Sequence, residues 1–181
     1  MGKEAGLGRN GLSLALAAAI VATAGAPAAR AQVLGSDAAA CNTGQGPAVR
    51  VAITGLKDMR GELKLELYPA NEDDFLAGED ELTAQGKPFR RVTVPVPAGG
   101  GATMCIRVPR PGRWALFVGH DRDGKRKFNF WSDGAGFPSN RRIGRAKPKL
   151  ADALIDVGPG ITTTSVRMQY LRGLGGFGPI G

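Results

Sequence analysis

Apolar residues in this chain recur at every second position, run after run, and that period constrains the fold more than any other feature. Val49, Val51 and Ile53 alternate with Ala48, Arg50 and Ala52, and Leu63, Leu65 and Leu67 alternate with Glu62, Lys64 and Glu66. Val92, Val94 and Val96 repeat the pattern, as do Met104, Ile106 and Val108, and then Thr162, Thr164, Val166, Met168 and Tyr170. A period of two puts one greasy and one polar face on an extended strand, whereas a helix would need a period of 3.6. The first two runs read as a hairpin-like antiparallel pair joined by the turn-rich link Gly55–Gly61. Pro95 and Pro97 lack the N–H that a ladder requires, so the run Arg91–Val96 belongs at a sheet edge. Arg113–Gly119, RWALFVG, is almost wholly apolar and reads as a central strand covered on both faces.

Between these runs the signals are weaker. Residues 70–88 are acidic and polar, with Phe75-Leu76 as their apolar anchor, and predict a loop with one helical turn. Ala151–Val157 reads as a weak strand, and Thr162–Tyr170 as one final strand. About seven short strands separated by turn signals, without a long helix, predict an all-β fold: an antiparallel β-sandwich of immunoglobulin-like or prealbumin-like type over residues 48–172. Residues 32–47 read as an irregular N-terminal arm, and 173–181 as a flexible Gly-rich tail.

The first 31 residues carry a different message. Lys3 and Arg9 precede the uncharged run Leu12–Ala24, and Ala29-Arg30-Ala31 offers small residues at both positions that a signal peptidase reads. About 13 apolar residues is short of the roughly 20 needed to cross a bilayer, so the segment reads as a cleaved signal peptide. The mature chain is then expected in the periplasm or outside the cell, with no transmembrane segment after cleavage. Losing Lys3, Arg9, Arg30 and Glu4 takes the net charge from +8 to +6. Export sets nucleic acid aside as the reason for that charge and leaves two readings open: a solvated basic surface with no partner, or a surface for an anionic envelope polymer or another envelope protein. The two cysteines, Cys41 and Cys105, enter an oxidising compartment, where one intramolecular pairing is possible. Cys105 falls on the face opposite Met104 and Ile106, which suits a disulfide clipping the arm over the outside of a sheet.

The chemistry-bearing stretch is 120–147, beginning His120-Asp121-Arg122-Asp123-Gly124 directly after the central strand. Three readings are open. Asp121 and Asp123 followed by Gly124 resemble the start of a calcium loop, with Asn129 and Asp133 as further oxygen donors, but Lys125, Arg126 and Lys127 stand where more oxygens are wanted. His120, the sole histidine, is the general base that a hydrolase would use, with Ser132 or Ser139 as nucleophile, but no nucleophile-elbow motif accompanies it. In the third reading the aspartates cap backbone amides in a tight turn, with Phe128, Phe130, Trp131 and Phe137 anchoring it. Trp131 and Phe137 then face a ligand or pack, and Arg141, Arg142, Arg145, Lys147 and Lys149 form a basic rim.

These residues also carry a resemblance. VRVAITGLKDMRGELKLELYP at 49–69, Phe75-Leu76, the run PGRWALFVGHDRDGKRKFNFW from Pro111, GAGFPSN at 134–140 and the closing VRMQY resemble the bacterial exported domain-of-unknown-function family 2141 over roughly residues 48–172. Family members read closer to HDxNGNGKxD in the loop; here the second glycine and the closing acid are replaced, with Arg126 and Asn129 near their places. The resemblance implies an exported sandwich and no activity. The expectation is therefore a non-catalytic binding or structural module of the cell envelope, without a cofactor unless the loop takes calcium, and with His120, Asp121, Asp123, Asn129, Trp131, Phe137, Arg141 and Arg142 as its candidate ligand-binding residues.

Overall fold

The computed structural model describes residues 1, 2, 32–125 and 127–180. Residues 3–31 of the signal-peptide segment, Arg126 and Gly181 lie outside the described residues. The described residues from 32 to 180 form one compact unit. Its elements are β1 (Val33–Leu34), α1 (Ala38–Thr43), β2 (Ala48–Thr54), β3 (Glu62–Pro69), α2 (Glu79–Ala84), β4 (Arg90–Pro95), β5 (Ala102–Arg107), β6 (Gly112–Asp121), β7 (Gly134–Gly136), α3 (Leu150–Ala153), β8 (Leu154–Val157), β9 (Ile161–Arg167), β10 (Gln169–Leu171) and β11 (Phe177–Pro179).

Two sheets pack face to face as a β-sandwich. One has the order β1-β5-β2-β9 and the other β11-β10-β7-β6-β3-β4, with β8 pairing the first half of β6. Alternation fills the space between them: Val49, Val51 and Ile53 of β2 and Met104 and Ile106 of β5 meet Leu63, Leu65 and Leu67 of β3 and Leu116 and Val118 of β6 in one buried cluster. The edge position of β4 and the central position of β6 agree with the prolines of the one and the unbroken apolar run of the other.

Four expectations are corrected. The runs 49–53 and 63–67 are not a hairpin. β2 pairs β5 and β9, β3 pairs β4 and β6, and the link between them crosses from one sheet to the other. Leu56 inside that link reaches the core cluster, which anchors the crossing. The final run is not one strand but two, since β9 lies in the four-stranded sheet and β10 in the larger one. The alternation survives the switch because Val166, Met168 and Tyr170 all face the shared core. The arm 32–47 is not irregular: it forms β1, parallel to β5, and α1, and Asp37 accepts hydrogen bonds from Arg90 Nε at 2.6 Å and from the Arg107 amide at 2.8 Å. The tail is not loose, because β11 pairs β10 and Phe177 is buried.

Each sheet also carries material on its outer face. On the smaller sheet, Ala40 and Cys41 of α1 pack on Ala48 and Cys105, and the two cysteines form a disulfide as the face assignment of Cys105 predicts. On the larger sheet, Tyr68 and Ala115 point outward and are covered by Phe75, Leu82, Phe137, Leu150 and Ala153. That second layer positions the candidate site.

Candidate functional site

The outer face of the larger sheet is built by the residues that alternate with the core-facing ones. Lys64, Glu66 and Tyr68 of β3 lie opposite Gly119, Phe117 and Ala115 of β6, and Gly119 lies opposite Ala135 of β7. β7 runs close over the core: a Cβ on Gly134 would stand 2.4 Å from the Tyr170 ring, and one on Gly136 2.4 Å from Val166. Only the middle residue, Ala135, turns outward. Gly119 and Ala135 are thus a low floor between taller neighbours, and a cavity of about 440 Å³ opens above them. Phe117, Phe128, Phe130 and Phe137 wall it, and Lys64, Arg91, Lys125, Arg145 and Lys147 stand among its charged lining residues with Glu66, Asp121 and Asp133. Its volume lies within the roughly 300–1,000 Å³ typical of ligand pockets.

The segment that closes one side of this cleft is held from beneath. Arg122 donates to Asp58 through Nε at 3.1 Å and through Nη2, and through Nη1 to the Ser132 carbonyl at 2.8 Å. The Arg122 guanidinium draws the Asp58 carboxyl down to about 2. Asp133, buried, accepts from the Arg122 amide at 3.0 Å and from the Asn129 amide at 2.8 Å. Asp121 accepts from Lys64 Nζ at 2.5 Å and from the Gly124 amide at 2.8 Å. Asp123 accepts from the Lys125 amide at 3.1 Å and from Asn129 Nδ2 at 2.7 Å, which holds its carboxyl below the usual range.

The three aspartates Asp121, Asp123 and Asp133 bring one oxygen each within 4.8 Å of one another, so a divalent cation has a donor set to address. Each of those carboxylates already accepts from N–H groups, and the Asn129 carbonyl oxygen accepts from the Trp131 amide at 3.1 Å. The arrangement matches the Asp-capped turn, in which carboxylates satisfy backbone amides.

His120 is fully buried, and its ring is saturated. Nε2 stands 2.7 Å from the Arg60 carbonyl, which can only accept, so Nε2 carries the proton. Nδ1 then accepts from the Tyr170 hydroxyl at 2.6 Å, and that oxygen in turn accepts from the Lys57 amide at 3.0 Å. Burial lowers the imidazole pKa and raises the Tyr170 hydroxyl to about 12, so the chain holds neutral groups. His120 is inward-facing on β6, on the opposite side of the sheet from the cleft. It braces the crossing link against β10, with both ring nitrogens engaged inside the fold.

The other sequence candidates divide. Phe137 is buried and forms cleft wall and second core at once, stacking against Phe75 and Phe117 at 6.0 and 5.4 Å. Trp131 is 80% exposed and touches Phe130 edge-on, outside the cleft lining. Arg141 and Arg142 line a neighbouring hollow of about 190 Å³ with Lys147 and Lys149; Arg141 stands 3.8 Å from Asp152, and Arg142 donates to the Gly175 carbonyl. Sequence reasoning missed Lys64, Glu66, Tyr68, Arg91, Gly119 and Ala135. Glu66 is buried, receiving Arg91 Nε at 2.6 Å and the Tyr68 hydroxyl, whose proton burial and Glu66 both keep in place. The available signal was Tyr68, an aromatic on a face otherwise carrying charges.

Fold and site together define a β-sandwich with a roofed cleft on one outer face. The chain belongs to the family described as uncharacterized protein conserved in bacteria (DUF2141), whose sequence profile matches residues 51–165. That span holds β3, β6, β7 and every residue that lines the cleft. No curated protein and no solved structure matches the chain.

Proposed function

We propose that the protein is an exported, non-catalytic binding module of the bacterial envelope, and that the cleft formed by segment 120–147 on the larger sheet recognises an anionic partner. The observation that carries this reading is the state of the charges lining the cleft. Asp121 is paired with Lys64, Glu66 with Arg91, and Asp133 with backbone amides, while Lys125 lies 3.4 Å from Asp123. Arg145 and Lys147, both exposed, have no acidic partner among the described residues. A concave, aromatic-walled site with two free cations at its rim attracts negative charge at long range and discriminates against cations. Export rests on the signal-like first 31 residues; no helix among the described residues is long and apolar enough to cross a membrane.

Binding of purified protein to immobilised polygalacturonate, with neutral dextran as control, tests this reading. The wild type is retained on the polyanion and released by salt, and Arg145→Ala with Lys147→Ala weakens binding about tenfold, roughly 1.4 kcal/mol. Equal retention of wild type and double variant, or equal retention on dextran, contradicts it.

A second reading has one observation in its favour, the approach of the Asp121, Asp123 and Asp133 oxygens. Thermal melts in calcium and in chelator separate the two. Saturation at about 100 times the dissociation constant would add roughly 2.7 kcal/mol and raise the midpoint by several degrees. The expected result is coincident melts, because amides and Lys64 already satisfy these carboxylates; a clear upward shift with calcium makes the turn a metal site.

A further inference from the structure

We infer that the cleft takes a single amphiphilic anion, an acid with an acyl chain or aryl ring as its body, seated with the apolar body above Gly119 and Ala135 and the acidic head at Arg145 and Lys147. The inference rests on the binding-module reading and goes beyond it: an anionic partner alone needs the rim, and the rim alone would leave the cavity without a purpose.

The floor makes the difference. Among the outward residues of β6 and β7 that line the cavity, Gly119 and Ala135 are the smallest and lie buried at its base, while the taller Phe117, Phe128 and Phe130 stand around them. Phe128 and Phe130 are about half exposed, at 48% and 46%; both rest on Phe177, with ring centroids 6.1 and 5.0 Å away, and Phe128 also meets Phe117 edge-on at 6.4 Å. Their remaining faces are held apolar and open beside the cavity. Such surface is costly to leave in water, and covering it favours binding in proportion to the apolar area removed from solvent. A hydrophilic polyanion would satisfy Arg145 and Lys147 and leave these rings wet. A cationic or neutral amphiphile would cover the rings and leave the two cations unpaired. An amphiphilic anion does both.

Titration calorimetry of the purified protein with dodecanoate below its micelle concentration tests the inference, with dodecyltrimethylammonium, acetate and polygalacturonate as comparison ligands. Saturable one-to-one binding of dodecanoate is expected, at least tenfold tighter than of either acetate or the cationic surfactant. Arg145→Ala with Lys147→Ala, at exposed positions, weakens dodecanoate tenfold or more. Ala135→Leu fills the floor and abolishes dodecanoate binding while leaving polygalacturonate binding in place; Phe130→Ser, at a half-exposed position, gives a second variant should Ala135→Leu fail to fold. Retained polygalacturonate binding with no dodecanoate binding overturns this inference and leaves the module reading standing. Failure of both ligands overturns the module reading as well. Dodecanoate binding without polygalacturonate binding upholds the inference and removes only the polymer as partner. Binding confined to phosphatidylglycerol vesicles, with none to dissolved dodecanoate, overturns the single-molecule form.

Discussion

Cys41→Ser combined with Cys105→Ser lowers the stability of the protein by about 4 kcal/mol, and its melting midpoint by roughly 10–15 °C, on the chain-entropy estimate for a loop of this length. The bridged residues are 64 apart in sequence, so the disulfide removes much of the conformational freedom of the unfolded chain. The native side adds to the effect. Cys41 and Cys105 are buried with Ala40 and Ala48, and this small cluster is what holds α1 to the outer face of the four-stranded sheet. Further along the arm, Asp37 is buried against Arg90 and the Arg107 amide. Burial by itself would raise the Asp37 carboxyl, but the hydrogen bonds and charges of Arg90 and Arg107 outweigh it and lower the pKa. Loosening α1 exposes that contact too. Melts of wild type with and without reductant, beside the double variant, check the prediction; a reduced protein that melts with the oxidised one shows that the arm contributes little.

His120→Ala is expected to cost about 3 kcal/mol, the range for emptying a fully buried ring site and stranding its hydrogen-bond partners. Tyr170 loses its acceptor and the Arg60 carbonyl its donor, and the link between β2 and β3 loses its brace. The same ring gives a pH dependence of definite sign. Burial places the folded-state pKa of His120 below its ordinary 6.5, so the unfolded chain takes up a proton first as pH falls. Stability is full above about 6.5 and declines as pH drops from there toward the folded-state value. In His120→Ala that component disappears. Denaturant titrations between pH 8 and 5 measure both effects. A variant with unchanged stability, whose loss shows only in ligand binding, would return His120 to the site.

Strand positions were legible in the sequence because their cause is local: a period of two reports which residues face the core, and the core of this sandwich is where Val49, Leu65, Met104 and Leu116 lie. Pairing was not legible in the same way. Nothing within 49–69 states that the link Gly55–Gly61 crosses between sheets; that follows from Leu56 entering the core and Tyr170, more than a hundred residues away, receiving the Lys57 amide. The final run concealed a sheet switch for the same reason, since Val166, Met168 and Tyr170 keep one alternation while their backbones join different sheets. The site divided along this line too. Asp121, Asp123, Asn129 and Asp133 are neighbours in sequence, and their shared turn could be read. Lys64, Glu66, Arg91, Gly119 and Ala135 meet only through strand register, which no local pattern carries.

The central claim, that the outer cleft of the larger sheet is the recognition surface, is tested most directly by mapping amide chemical shifts during titration with polygalacturonate. The account predicts that the shifts concentrate at the cleft rim, at Arg145, Ala146 and Lys147, and that the opposite face around Ala40 and Thr103 stays unmoved. Shifts centred on that opposite face, or spread evenly over the basic surface, would contradict it.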